Sequence, residues 1–344
     1  MSRTLPDPLG ASVPVLVAPM AGGPSTPALV RAAAGAGHLA QLAGGYRSAD
    51  QLGAQVRAVR EAGVEAFGVN LFVPNPARVD AAAYRRYREA LRPTAARLGV
   101  PDLPDVLEDD DAWDAKVELL LTDPVPVVSF TFGLPAADTV RRLRARGSVT
   151  LQTVTGAAEA RAAAERGVDA LVVQAAAAGG HSGVLDPAAL PSATPLPDLV
   201  RAVAAATDLP VVAAGGIATR DDVTAALAAG AQAVAVGTAV LRSPESGASA
   251  VHKDALADPR HDRTALTRAF TGRVARALVN RFVAEHDAAA PVGYPALHHL
   301  TRPLRAAATA AGDASAVNLW AGTGWRHASA DPAAVTLARL ASGL

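Results

Sequence analysis

The chain has 344 residues, half of them hydrophobic and 19% charged, which is enough for one large domain or two average ones around a sizeable core. Its 32 basic and 32 acidic side chains cancel, so bulk electrostatics gives no reason to bind nucleic acid or an anionic membrane. Cysteine is absent, which excludes disulfides, thiolate metal sites and a cysteine nucleophile.

Met1 to Val17 lacks the basic segment and apolar core of a signal peptide, and no run of about 18 apolar residues occurs. The expectation is a cytoplasmic chain without a spanning helix. In chain order, short Val- and Leu-rich runs predict strands at Pro14–Pro19, His38–Leu42, Ala66–Leu71, Val125–Thr131, Ser148–Val154, Ala170–Gln174, Pro210–Ala214 and Ala233–Val236. They are almost continuously apolar, as parallel strands buried on both faces should be. Helical stretches separate them. Thr26 can cap a helix with Pro27 at its first position, and Ser48 with Gln51 and Thr219 with Asp222 have capping-box spacing. Gly35, Gly37, Gly167 and Gly230 fall where helices should stop.

Eight repeats of strand and helix predict an α/β fold, a closed (β/α)₈ TIM barrel, with a doubly wound open sheet as the alternative. The barrel should occupy residues 1–247. A lid-like helical excursion after strand three, at about 74–122, begins at Pro74-Asn75-Pro76 and carries Tyr84, Tyr87 and Trp113. Residues 248–344 read as a mainly helical extension over the barrel mouth, with spare aromatics at Tyr294, Trp320 and Trp325.

Barrel active sites lie at the C-terminal strand ends. Strand one runs into Ala18-Pro19-Met20-Ala21-Gly22-Gly23-Pro24 and strand two into Ala43-Gly44-Gly45-Tyr46, small residues that let backbone approach a flat ligand. Asn70, Gln152 and Gln174 lie on otherwise apolar strands; such amides are costly to bury unless satisfied, by neighbouring backbone or by the polar edge of a ring such as flavin. Gly215-Gly216-Ile217 and Gly237-Thr238 follow strands seven and eight, where barrels recurrently bind phosphate, each leading into a helix whose positive end would assist. Gly179, Gly180 and Gly183 can join that site. His181, between them, would project over the mouth, suited to proton transfer or to holding an anion. His38, at the opposite barrel end, reads as a stabilising residue. Gly35-Ala36-Gly37-His38-Leu39-Ala40 fits a dinucleotide pattern but ends a helix, no Walker A sequence occurs, and no spacing makes a metal site, which leaves an organic cofactor.

The segments Ala18 to Pro24, Gly68-Val69-Asn70-Leu71-Phe72, Gly179-Gly180-His181, Ala214-Gly215-Gly216-Ile217 and Gly237-Thr238 resemble those of the nitronate monooxygenases, formerly 2-nitropropane dioxygenases. Ser129-Phe130-Thr131-Phe132-Gly133-Leu134-Pro135, Thr271-Gly272-Arg273, Tyr294-Pro295 to His299-Leu300-Thr301, and Asn318-Leu319-Trp320-Ala321-Gly322 resemble the class I branch. The resemblance implies FMN and oxidation of alkyl nitronates, such as propionate 3-nitronate, by O₂ without a nicotinamide, through one-electron transfer to the flavin. It implies FMN binding by Asn70, Gln174, Gly179, Gly216, Gly237 and Thr238, and a catalytic His181. Tyr294 and Phe132 are substrate-pocket candidates. Ser182 and Trp325 depart from the residues usual at those positions, which leaves substrate preference open. A monomer or homodimer is expected. The rival readings are a flavin-dependent NAD(P)H reductase of the same superfamily, acting on enoyl-thioesters or quinones, and a non-catalytic phosphate-ligand binder.

Overall fold

A computed structural model describes residues 4–10, 13–75 and 78–344. Pro76, one of the prolines opening the excursion, lies outside them. The eight predicted strands are all present, with ends moved by at most three residues. They are β1 (Val15–Val17), β2 (Gln41–Ala43), β3 (Gly68–Phe72), β4 (Val127–Thr131), β5 (Val149–Val154) and β6 (Ala170–Gln174), then, after a two-residue strand β7 (Gly180–His181), β8 (Val211–Ala214) and β9 (Ala233–Val236). Every pairing among the eight is parallel, in the order β1-β9-β8-β6-β5-β4-β3-β2. A parallel bridge from Val17 to Ala40, with the Val17 N–H donating to the Leu39 carbonyl at 2.9 Å, joins the two ends into a barrel. The open sheet is thereby excluded.

Alternation along the strands separates two cores. Outward side chains such as Val15, Val17, Val69, Leu171 and Val234 pack under the helices. Inward ones, including Leu16, Leu151, Val212 and Ala235, fill the barrel. The caps form as the spacing predicts: Thr26 accepts from the Leu29 N–H, and Ser48 and Thr219 each complete a capping box. His38 Nδ1 lies 2.9 Å from the Val15 carbonyl in the core, which fits a stabilising role.

After β3, helices Ala81–Ala90 and Arg92–Arg97 leave the barrel and pack through Tyr84, Tyr87, Leu91 and Ala95 against the C-terminal part of the chain. The third helix of that stretch, Trp113–Thr122, belongs instead to the barrel's own ring, with Val117, Leu120 and Leu121 in the strand–helix core. At the far end, helix Ala333–Ala341 buries Ala333, Leu337 and Leu340 in that same core, closing the ring beside helix Pro27–Gly35. The extension is therefore an insertion between β9 and the closing helix. It also contains an antiparallel hairpin, β10 (Thr264–Thr267) and β11 (Ala275–Leu278), which the Ala-rich sequence did not disclose. Strand β11 pairs with β7, Ala275 opposite His181 and Arg276 opposite Gly180.

Candidate active site

A cavity of about 430 Å³ opens at the C-terminal strand ends, within the range of about 300–1,000 Å³ usual for small-ligand pockets. Its floor is divided. On the side of β8, β9 and β1 the inward residues are small and apolar: Ala214, Ala235 and Ala18. On the side of β2 to β6 they are polar: Gln41, Asn70, Ser129, Thr131, Thr153 and Gln174. Asn70 Nδ2 donates to Ser129 Oγ at 2.8 Å and Thr131 Oγ1 at 3.0 Å, and Ser129 Oγ donates to Gln41 Oε1 at 2.6 Å. Gln174 Nε2 donates to the His181 carbonyl at 3.1 Å, and its Oε1 accepts from the Gly183 N–H at 2.6 Å.

Of the candidate residues, Ala18, Pro19, Met20, Ala21, Gly22, Asn70, Gln174, Gly179, Gly180, Gly215, Gly216, Gly237 and Thr238 all line this cavity, with His181 and Phe132. Gly183 does not; it buttresses Gln174 from behind. Gln152 does not either. Leu151 and Thr153 take the inward positions of β5, so the period of two turns Gln152 outward, where its Nε2 donates to the Thr153 carbonyl at 2.9 Å. Tyr294 stands one layer back, its ring 5.8 Å from that of His181 and 5.3 Å from that of Phe132.

The loops after β6, β8 and β9 interlock with a turn from the insertion. A Cβ on Gly179 would come within 2.5 Å of the Gly322 nitrogen, and one on Gly322 within 2.8 Å of the Ala177 carbonyl. Gly215 and Gly216 have φ of +109° and +78°, a region that side chains disfavour. Thr238 Oγ1 accepts from the Gly322 N–H at 3.0 Å. The helix after β8 does not offer its positive end as expected. Asp222 Oδ2 already accepts from Ala218 N–H, Thr219 N–H and the Thr219 hydroxyl, so the capping box occupies that terminus. After Gly237 there is one 3₁₀ turn, Thr238–Val240. An anion here would rest on the glycine loops themselves.

His181 is held by partners far away in sequence. Its Nε2 is 2.8 Å from Thr271 Oγ1. The Thr271 hydroxyl also lies 3.2 Å from the Arg273 carbonyl, so it ties the imidazole to that backbone. Burial, reinforced by the nearby Arg273 and Arg305 charges, lowers the imidazole pKa to about 3. His181 is thus neutral, and the positive charge of the site resides on the two arginines. Arg273 is fully buried; it donates to the carbonyls of Ser182, Phe132 and Val184 and lies 4.0 Å over the Phe132 ring. Burial brings each guanidinium down to about 10, still cationic at neutral pH.

Aromatic rings complete the wall. Tyr46 stacks on His298 at 4.0 Å and 3°, and Trp320 lies 5.2 Å from His181. Tyr46 adopts a left-handed φ of +67°, fixed where its N–H donates to Asp111 Oδ1 at 2.8 Å. Lys116, almost fully buried, pairs with the same carboxylate at 2.7 Å. Ser182 and Trp325, the two departures, are buried and do not line the cavity. Sequence reasoning passed over His252 and Arg305, and took in His298 and Asn318 only as parts of segments that carry the resemblance; all four line the cavity from the insertion, whose placement no local pattern encodes.

A parallel barrel with a cavity and a histidine at the C-terminal ends of its strands defines a TIM-barrel protein with its site where barrel enzymes carry theirs, and the comparisons with known proteins give the family. Residues 8–341 match the nitronate monooxygenase family, and the chain belongs to that family. It is 40% identical to the nitronate monooxygenase of Pseudomonas aeruginosa over 98% of this chain and 97% of that protein. It is 36% identical to that of Paraburkholderia phytofirmans over 96% and 92%. Among solved structures, nitroalkane oxidase from Streptomyces ansochromogenes superposes with a TM-score of 0.91 at 46% identity, covering 96% of this chain and 95% of that one. FabK from Thermotoga maritima superposes at 0.75 with 25% identity, covering 96% and 92%.

Proposed function

We propose that this chain oxidises alkyl nitronates with O₂, using FMN held in the described cavity and His181 beside the flavin, without a nicotinamide. The observation that carries the reading is the meeting of the glycine loops, the polar strand ends and His181 in one cavity. The cavity fits the cofactor. Gly215, Gly216, Gly237 and Thr238 leave backbone room for a phosphate, Asn70 and Gln174 face the polar edge of a flat ring, and Ala18, Ala214 and Ala235 face its apolar end. FMN supplies the one-electron chemistry when bound.

The protein's own residues do the rest. Arg305 on the cavity wall, and Arg273 buried behind Phe132, make the cavity favourable to an anion. His181, neutral and hydrogen-bonded to Thr271, stands on the cavity wall where it positions the nitronate against the ring. Phe132, Tyr294 and Trp320 keep water from the reacting atoms. The test is His181→Asn, which preserves size and polarity. With a preformed nitronate it should retain its flavin spectrum while losing at least about tenfold in kcat/KM, the worth of one hydrogen-bonding contact to a charged group. Wild-type turnover in that variant would remove His181 from the reaction.

A further inference from the structure

Arg273 reaches the barrel from the insertion and does not line the cavity, yet it grips two loops that carry lining residues. Its Nε donates to the Ser182 carbonyl at 3.4 Å, and its Nη2 to the Phe132 carbonyl at 3.4 Å and to the Val184 carbonyl. One planar fork thus ties the loop after β4 to the loop after β7, a geometry that a lysine ammonium does not reproduce. The acceptors are backbone carbonyls, and the Glu159 and Asp186 carboxylates act on the charge through space. A fully buried guanidinium without a paired carboxylate is costly, so an apolar side chain would fill this volume more favourably. What the arginine holds is unusual backbone. Phe132 has a φ of +83°, where an aromatic residue is a true outlier that persists when its surroundings over-determine it. The guanidinium holds the carbonyl of Phe132 and lies 4.0 Å over its ring, and that ring stands edge-on to His181 at 5.6 Å. On the other side, the Ser182 N–H donates to the Val274 carbonyl at 2.9 Å, the Gly183 N–H to Gln174 Oε1 at 2.6 Å and the Leu185 N–H to Glu159 Oε1 at 2.8 Å. Arg273 completes that set by taking the Ser182 and Val184 carbonyls.

We propose that Arg273 is a positioning residue: it holds Phe132 in its left-handed conformation and fixes the backbone that follows His181, so that ring and imidazole are set before substrate arrives. Thr271, two residues earlier, holds the imidazole itself, and the same short segment therefore grips His181 from the side chain and from the main chain. The inference rests on the reading above of His181 as the group that meets the nitronate.

Hydrogen–deuterium exchange of the purified flavoprotein, followed peptide by peptide, separates the two claims because it needs no turnover. Arg273→Met should exchange about tenfold faster than the wild type at residues 130–135 and 180–186, the worth of one lost hydrogen bond, with strands β8 and β9 unchanged. With a preformed nitronate, kcat should fall about tenfold or more while KM stays within about threefold, and Arg273→Lys, which keeps the charge but not the fork, should recover part of both losses. If Arg273→Met does not fold, a second pair of variants decides. Phe132→Gly should melt about 1 °C or more above Phe132→Ala, because glycine alone is at ease at that φ, and adding Arg273→Lys should narrow the gap. Exchange that quickens equally in β8 and β9, exchange unchanged in both loops, a rise in KM with kcat unchanged, or no gap between the two Phe132 variants would each overturn the proposal. Faster exchange confined to the two loops, in a protein that oxidises no nitronate, would instead keep the clamp and reject the nitronate reading.

Discussion

At the scale of single residues, the chemistry turns on a histidine kept neutral. Burial and two neighbouring guanidinium groups take its pKa to about 3, so protonation is delayed far below the ordinary value of about 6.5. The sign is simple: a group that works in its neutral form stays competent until the pH falls towards its own pKa. With a preformed nitronate, kcat/KM should therefore show no histidine inflection between pH 8 and 5. A tenfold fall between pH 7 and 5 would mean that His181 titrates normally and that its environment differs from the one described. His181 itself was legible in the sequence because it sits in a glycine-rich loop at a strand end. Its orienting partner, Thr271, was marked only by resemblance, since the contact spans 90 positions. Gln152 was misread because an amide on a strand gives no sign of which face it takes until a neighbour such as Thr153 is placed inside.

The elements explain how the site is assembled. Strands and caps were legible because each follows a local rule: buried parallel strands are continuously apolar, and Ser48 and Thr219 recur three residues before their partners. The hairpin was not, because Ala275 and Ala277 give little strand preference and the hairpin exists by pairing with β7. That pairing fixes the backbone of Gly180 and His181. The glycine loops are the element whose failure is easiest to read. Gly216→Val puts a β-branched side chain at a φ of +78° with Ala177 Cβ only 3.0 Å from the new Cβ. It should be purified with much less flavin than the wild type, measured as absorbance per polypeptide. A fully loaded variant would show that the phosphate lies elsewhere.

Across the whole molecule, the insertion between β9 and the closing helix is what turns a common barrel into this site. It supplies Thr271, Arg273, His298, Arg305 and Trp320, and with it in place burial lowers the pKa of four histidines, His286 among them. His181, His252 and His298 are all lowered by burial, His252 to about 4, so the unfolded chain binds more protons than the folded one below about pH 6.5. Stability should be fully present above that pH and fall as pH drops through 6 to 5, by at most about 1.4 kcal/mol per pH unit for each histidine. A melting temperature that is level from pH 7 to 5 would contradict this. The barrel repeat was readable from sequence, and so was a helical region at the C-terminus. That its last helix returns to the ring was not, because Ala333, Leu337 and Leu340 make an apolar stripe that could cover any core.

The central claim is tested most directly by the absorbance spectrum of the purified protein, followed by oxygen uptake with propionate 3-nitronate and no NAD(P)H. The account predicts a flavin spectrum and rapid uptake. A flavin spectrum with no uptake, but with anaerobic bleaching by NADH or NADPH, would contradict it and identify a reductase; a colourless protein would contradict the cofactor as well.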